Sequence, residues 1–151
     1  MSITTRHLPA TLAPQATVAW AHIIERADPD LVQALQDAAT NLPQGQLATV
    51  LACSPFAADL GRRKPAMLLD LLTDDSLQCS LPPAAFRQQL NAALETPGVE
   101  LGPELRRFRQ RHMLRIVWRD FCRLADTAET VRDLSLIHIS EPTRQVLVSR
   151  M

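Results

Sequence analysis

The sequence predicts an all-α protein built as a compact bundle of several helices. Up to Asp133, apolar residues recur at the spacing of a helix face. Several of the 11 prolines stand where such a face begins, next to residues that cap helices. The 151 residues, 46% of them hydrophobic, are enough to bury one core. We therefore expect a single helical domain.

The first four predicted helices are separated by breaks rich in turn residues. One helix follows Pro14, and Asp28-Pro29 offers an N-cap and a first-turn proline for the second. Ser54-Pro55 repeats the same signal before the fourth. Their apolar faces comprise, in chain order, Trp20, Ile23, Ile24 and Ala27; Leu31, Ala34, Leu35 and Ala38; Leu47, Val50 and Leu51; and Phe56 and Leu60.

Further proline signals open the fifth and sixth predicted helices. Lys64-Pro65 precedes one, and Pro82-Pro83 precedes the other. The tetrapeptide at residues 126–129 resembles a capping box, which predicts one more helix near the end of the chain. The apolar residues of the fifth and sixth helices are Leu68, Leu71 and Leu72, then Phe86, Leu90 and Leu94.

The longest predicted helix, residues 102–126, holds the one concentration of charge in the sequence. Arg111, Arg115, Arg119 and Arg123 fall four residues apart and so share one ridge. Guanidinium groups bind phosphates through paired donors, which makes a nucleotide or nucleic-acid contact physically reasonable. The apolar face of this helix comprises Leu105, Phe108, Leu114, Val117, Phe121 and Leu124.

The charge balance favours a packing role for this arginine ridge. The chain has 16 Lys and Arg and 16 Asp and Glu, so its formal net charge is zero. It therefore lacks the overall field that draws proteins to nucleic acids or anionic membranes. We expect the arginines to pair with acids on neighbouring helices while their stems cover apolar surface.

The residue pattern contains no catalytic, cofactor-binding or metal-binding signature. The four glycines are too scattered for a phosphate loop. Asp28 and Asp30 have the acid-x-acid spacing of a metal site, but a helix cap explains them better. His112, which lies among arginines, is expected to pack or to lie at the surface. The residues set aside on similar grounds are His7, His22, His138, Asp74 and Asp75.

The cysteines and the hydropathy pattern indicate a cytoplasmic protein. Cys53, Cys79 and Cys122 are odd in number and far apart, which fits neither a disulfide framework nor a zinc site. We expect reduced, buried thiols. No apolar run approaches the roughly 18 residues of a membrane span.

Two stretches carry a family resemblance. LPQGQLATVLACSPFAADLGRRKPAMLLDLL and ELRRFRQRHMLRIVWRDFCRLADTAETVRDLS resemble the N-terminal region of the bifunctional glutamine synthetase adenylyltransferase/adenylyl-removing enzymes. The resemblance runs from Leu12 to Ser135 and implies that residues 1–133 are the helical N-terminal portion of the adenylyl-removing domain. In the family that domain is an α+β nucleotidyltransferase, so its sheet would be missing here.

The resemblance also implies an activity, cofactors and partners. Family enzymes transfer AMP from ATP to a tyrosine of glutamine synthetase and remove it by phosphorolysis, which releases ADP. ATP and Mg²⁺ serve the intact enzyme, and the PII signal protein and glutamine control it. The family's metal-binding Ser-Asp-x-Asp motif follows the matched region, so none of its catalytic residues can be assigned to this sequence. We therefore expect the chain alone to be inactive.

The last residues differ in pattern from the rest. Short β-branched runs at residues 136–139 and 146–148 flank Glu141-Pro142, as in a hairpin. Residues 134–144 resemble the in-frame translation of a transposase sequencing adapter, and we expect residues 134–151 to be an artefactual tail. The alternative of an evolved hairpin is weak because a lone hairpin is marginally stable.

Two function hypotheses follow from the sequence. In the first, the chain is a fragment of the nitrogen-assimilation enzyme, with glutamine synthetase and PII as its partners and no role for nucleic acid or membrane. In the second, it is a stand-alone helical module that binds a phosphate-bearing partner through its arginine-rich helix. Strong salt dependence of binding would favour the second hypothesis.

Overall fold

The computed structural model describes residues 3–95, 98 and 100–148, with side chains described up to residue 138. Every regular element in these ranges is helical, which confirms the predicted all-α class. The α-helices are α1 (Ala13–Arg26), α2 (Pro29–Asn41), α3 (Gln46–Cys53), α4 (Pro55–Arg63), α5 (Pro65–Leu72), α6 (Pro83–Leu94), α7 (Leu101–Phe121) and α8 (Thr127–Val148), and a 3-10 turn covers Asp75–Leu77.

Proline begins four of these helices, as the sequence predicts. A first-turn residue has no intrahelical acceptor for its N–H. Proline, which has no backbone N–H, therefore loses no hydrogen bond there. The predicted cap at Ser54 is confirmed, since its hydroxyl accepts from the N–H of Ala57 at 3.1 Å. Asp28 precedes α2 but makes no side-chain cap bond, so its predicted capping is wrong. The four prolines are Pro29, Pro55, Pro65 and Pro83.

The helices enclose two large apolar clusters, with α7 between them, and a small third cluster of Ala16, Ala48 and Ala52. The main cluster joins α1 to α5 and includes Trp118 of α7, which is fully buried. The second cluster joins α6, α7 and α8 around Phe108 and Ile137. Because α7 contacts both clusters, most of its circumference is buried. Phe121 is the exception to the predicted apolar face, since it lies at the end of the helix and is 40% exposed.

Gly45 and His7 bring the chain start against the N-terminus of α3. Gly45 has φ +87°, a left-handed conformation that L side chains rarely adopt. A Cβ at this position would lie 2.5 Å from Cε1 of His7. The His7 Nε2 atom is 2.9 Å from the hydroxyl of Thr49. The positive φ favours glycine at this turn, and the absence of a Cβ leaves room for the imidazole ring.

The last described residues are helical. α8 runs from Thr127 to Val148, so the hairpin alternative is wrong over these residues. A helix already started satisfies its backbone groups locally, whereas a lone hairpin would need other strands beside it. The side chain of Ile137 is 2% exposed in the second cluster.

No helix in the described part of the chain combines the length and the apolarity needed to cross a bilayer.

The cysteines are free, but their predicted burial is wrong for two of the three. Cys53 and Cys79 are exposed, and Cys122 is half-buried. Cys53 closes the short α3 and Cys79 follows the 3-10 turn, so both lie where the chain leaves a helix at the surface. Burial raises the pKa of the Cys122 thiol to about 12, which keeps it protonated and unreactive at neutral pH.

Candidate functional site

Three arginines of α7 form the main polar network of the described structure. Arg111, Arg115 and Arg119 are four residues apart, so they project from successive turns on one side of the helix. That side faces residues 74–79 and the start of α8. Arg115 is 1% exposed and Arg119 is 3% exposed, which is unusual for arginine. We call these three residues the arginine row.

Arg111 occupies the outer end of the arginine row. Its Nε donates to Asp70 at 2.7 Å, and its Nη2 donates to Asp74. Asp74 also accepts from the N–H of Ser76 at 2.7 Å and so caps the 3-10 turn. Burial alone would raise the pKa of Asp74, but the hydrogen bonds from Arg111 and Ser76 outweigh it and lower the pKa. Arg111 therefore fixes the end of α5 and the turn that follows.

Arg115 binds mainly backbone carbonyls. Its Nη2 donates to the carbonyl of Ser76 at 3.0 Å and to that of Cys79, and its Nη1 donates to Asp133 of α8 at 3.4 Å. Burial, together with the nearby charge of Arg119, lowers the pKa of Arg115. A guanidinium group remains protonated at neutral pH despite such a shift. Arg115 thus joins α7, the 76–79 segment and α8.

Arg119 makes a similar set of contacts one turn further along. Its Nη1 donates to the carbonyl of Leu77 and its Nη2 to that of Leu124, both at 2.8 Å. Nη2 also donates to Oε1 of Glu129 at 2.9 Å. Glu129 is the last residue of the predicted capping box. The N–H of Glu129 does bond Asp126 at 2.7 Å, but its carboxylate turns to Arg119, so the capping box is only half formed.

The contacts of the arginine row confirm the packing interpretation. Among the described residues, no buried side-chain nitrogen or oxygen lacks a hydrogen-bond partner. Arg115 and Arg119 have no surface to offer a phosphate because carbonyls and carboxylates surround them. The hypothesis of a phosphate-binding arginine ridge is therefore wrong for these two residues.

Arg123 does not belong to the arginine row. α7 ends at Phe121, and Arg123 has φ +55°, the left-handed conformation that often terminates a helix. The N–H of Leu124 bonds the carbonyl of Arg119 at 2.8 Å across this turn. The predicted fourth member of the ridge is therefore wrong, because the helix stops before it.

His112 packs in the second cluster, which confirms the packing prediction. It is 3% exposed, and its ring centroid lies 4.8 Å from that of Phe86 and 4.2 Å from that of Phe108. Burial, followed by the charges of Arg111 and Arg115, lowers its pKa to about 4. The ring is neutral at physiological pH and has no substrate-accessible face.

The remaining candidates do not converge on a site. Within the described ranges, no three His, Cys, Asp or Glu side chains lie close enough to hold a metal ion. Asp28 and Asp30 stay at the exposed start of α2. Asp74 is engaged by Arg111, and Asp75 begins the 3-10 turn. These candidate residues therefore do not come together at one place within the described ranges.

Sequence reasoning missed the partners of the arginine row. The acceptors are largely the carbonyls of Ser76, Leu77 and Cys79, and main-chain groups carry no sequence signal. The acidic partners Asp133 and Glu129 follow α7 in the sequence, and their spacing from the arginines gives no hint of contact. Only the Phe108-to-His112 spacing, one helical turn, could have indicated the aromatic stack.

Comparison with known proteins gives a consistent result. The family model described as glutamate-ammonia ligase adenylyltransferase matches residues 44–140. A bifunctional glutamine synthetase adenylyltransferase/adenylyl-removing enzyme of Pseudomonas aeruginosa is 43% identical over 143 residues, covering 87% of this chain and 14% of that protein. The protein of the same description from Pseudomonas putida is 39% identical over 130 residues, covering 85% of this chain and 13% of that protein. No solved structure gives a significant match.

Proposed function

The chain belongs to the glutamate-ammonia ligase adenylyltransferase family, and we propose that it is part of an enzyme that adenylylates and deadenylylates glutamine synthetase. The observation that carries this proposal is the 43% identity to the Pseudomonas aeruginosa enzyme over 87% of the chain. The chain spans only 14% of that protein, so the activity is a property of a larger polypeptide.

In this proposal residues 1–133 are a helical scaffold of the adenylyl-removing domain. The arginine row supports a scaffold role because its buried guanidinium groups form hydrogen bonds with other groups of the same chain. Residues 134–151 would be the artefactual tail. A chain without a metal-binding aspartate pair would neither transfer AMP nor remove it.

The chemistry would be supplied by the remaining parts of the intact enzyme. The intact enzyme would transfer AMP from ATP to a tyrosine of glutamine synthetase. In the reverse direction, phosphate would remove this AMP, which is released as ADP. Mg²⁺ would neutralise the phosphate charge in both directions. PII would control the balance, and the reactions would take place in the cytoplasm.

A chimeric enzyme tests this assignment. Residues 1–133 would replace the matched region of the Pseudomonas aeruginosa enzyme, and phosphate-dependent release of ADP from adenylylated glutamine synthetase would be measured. We expect the chimera to retain activity and the 151-residue chain alone to show none. A folded chimera with no activity, or ADP release by the chain alone, would contradict the proposal.

A further inference from the structure

A cavity lies where α2 ends and α3 begins. It has a volume of about 210 Å³ and is lined by residues of α1, α2 and α3, of the loop between α2 and α3, and of the first described part of the chain. An apolar cavity of about 150 Å³ can hold a benzene molecule, so this cavity has room for a single ring with a small substituent. None of its lining residues belongs to the arginine row.

The first described residues form one wall of this cavity. Ile3 lines the cavity and packs against the main and the third apolar clusters. The His7 ring lies against Gly45, whose φ of +87° turns the chain between α2 and α3. The Nε2 atom of His7 is 2.9 Å from the hydroxyl of Thr49. Residues 3–7 are therefore anchored at both ends, and the wall is part of the packed structure.

The lining combines apolar side chains with groups that form hydrogen bonds. Trp20 and Leu47 are each 4% exposed and supply apolar surface. Gln36, Thr40 and Gln44 line the same cavity. Each carboxamide has one acceptor oxygen and two N–H donors. The hydroxyl of Thr40 donates to the carbonyl of Gln36 at 2.9 Å, so its oxygen can serve a ligand only as an acceptor.

The described lining of this cavity contains no charged side chain. A carboxylate, an ammonium group or a phosphate that enters such a site loses its hydration and gains no opposite charge in return. The lining therefore disfavours amino acids, nucleotides and other ionised ligands. It favours an uncharged molecule with an apolar face and an edge that both donates and accepts hydrogen bonds.

We propose that this cavity binds a small, planar, uncharged molecule that carries an amide group. The ring of the ligand would lie against Trp20 and Leu47, since aromatic side chains favour flat apolar partners. Its amide would pair with the carboxamide of Gln36 or Gln44, because two amides match donor to acceptor in both directions. This site goes beyond the enzymatic proposal, and neither inference depends on the other.

Benzamide and benzoate test the proposal, because they share a shape and differ in charge. Each is titrated into the isotopically labelled 151-residue chain, and binding is followed by the shifts of N–H signals in NMR spectra. We expect benzamide to saturate the site with a Kd of about 1 mM and to shift the indole N–H of Trp20 and the side-chain amide of Gln36. Benzoate should bind at least about tenfold more weakly.

Two variants with a matched control test the roles of the carboxamides. Gln36→Leu keeps the size of the side chain and removes its hydrogen bonds, so we expect about fivefold weaker binding of benzamide. Gln33→Leu is the control and should leave binding unchanged, since Gln33 is exposed on the same helix and bonds Asp37 at 2.8 Å outside the cavity. Gln44→Lys adds a cation to the lining and should strengthen benzoate binding about tenfold.

Several outcomes would overturn the proposal. One is the absence of saturation at about 20 mM benzamide, and another is equal affinity for benzamide and benzoate. Unchanged binding to Gln36→Leu, or shifts confined to residues outside the lining, would place the ligand elsewhere. Circular dichroism checks that each variant keeps its helices. Gln44 is exposed in a loop, so the change in benzoate affinity of Gln44→Lys still decides the question if Gln36→Leu loses helix.

Discussion

Arg119 and Glu129 are joined by two hydrogen bonds to one oxygen, Oε1, from Nη2 at 2.9 Å and from Nε at 3.2 Å. This pair connects the end of α7 to the first turn of α8. Arg119 also bonds the carbonyls of Leu77 and Leu124, so one guanidinium group holds three segments. The contact shows how a charged residue can become part of the interior.

Replacing Arg119 should destabilise the protein strongly. Arg119→Ala leaves the Glu129 carboxylate and two carbonyls without their donor, and we expect a loss of about 3 kcal/mol in the free energy of unfolding. Urea denaturation followed by circular dichroism measures it. Arg63→Ala is the control, because Arg63 is 49% exposed and its partner Asp59 is 46% exposed, so we expect a much smaller loss. Equal losses for the two variants would contradict the assignment of Arg119 to the interior.

His112 should make stability fall between pH 6.5 and pH 4. Its pKa is about 4 in the folded protein and 6.5 as a free side chain, so within this window the unfolded state binds a proton that the folded state does not. Stability from this group is present above pH 6.5 and decreases as pH falls, by at most about 3 kcal/mol. Urea titrations at several pH values give the slope.

His112→Phe provides the matched comparison for that pH dependence. Phenylalanine keeps an aromatic ring between Phe86 and Phe108 and cannot titrate. We expect the variant to lose most of the slope between pH 6.5 and pH 4. The pKa of Asp74 is also lowered, so its carboxylate becomes protonated only at a more acidic pH than this window. Protonation there would weaken its hydrogen bonds with Arg111 and Ser76. An unchanged slope in the variant would show that another group titrates.

Arg123→Gly should stabilise the protein. Arg123 has φ +55°, which costs an L residue energy that glycine avoids, and its side chain is exposed. We expect a gain of about 0.5 to 1 kcal/mol, measured as a higher urea midpoint at constant slope. Arg123→Val should be destabilising, since a β-branched residue tolerates this conformation poorly. Loss of stability in the glycine variant would indicate a contact of the Arg123 side chain.

Gly45→Ala should destabilise the protein for two separable reasons. The φ of +87° strains alanine, and its Cβ would meet the His7 ring at 2.5 Å. We expect a cost of about 1 to 3 kcal/mol in thermal or urea unfolding. In a His7→Ala background the collision is absent, so the same substitution should cost less, with the conformational part remaining. Equal costs in both backgrounds would contradict the close contact with His7.

The proposed artefactual tail can be tested on the source DNA. Resequencing across the codons for residues 132–140 should show a frame that departs from the adapter-like codons. We expect that frame to continue the helix and then to reach a Gly-rich segment with a Ser-Asp-x-Asp motif. Adapter-like codons within genomic DNA would contradict the proposal.

The sequence by itself determined the helices and their order. Proline removes an N–H and fixes φ, so Pro29, Pro55, Pro65 and Pro83 mark the first turns of helices in any environment. The apolar periodicity likewise reports a local geometry that each helix imposes on its own residues. These signals are local, which is why the all-α class and most boundaries could be read from the chain.

Only the tertiary structure decided what the arginine row contacts. The sequence predicts that Arg115 pairs with acids of neighbouring helices, but in the fold two of its acceptors are the carbonyls of Ser76 and Cys79, beside the carboxylate of Asp133. Those acceptors come from distant segments, and two of them belong to the main chain. The exposure of Cys79 and the end of α7 before Arg123 were also decided by the tertiary structure, because both depend on how neighbouring segments pack. Periodicity fixes which residues share a helix face, and the fold fixes what that face meets.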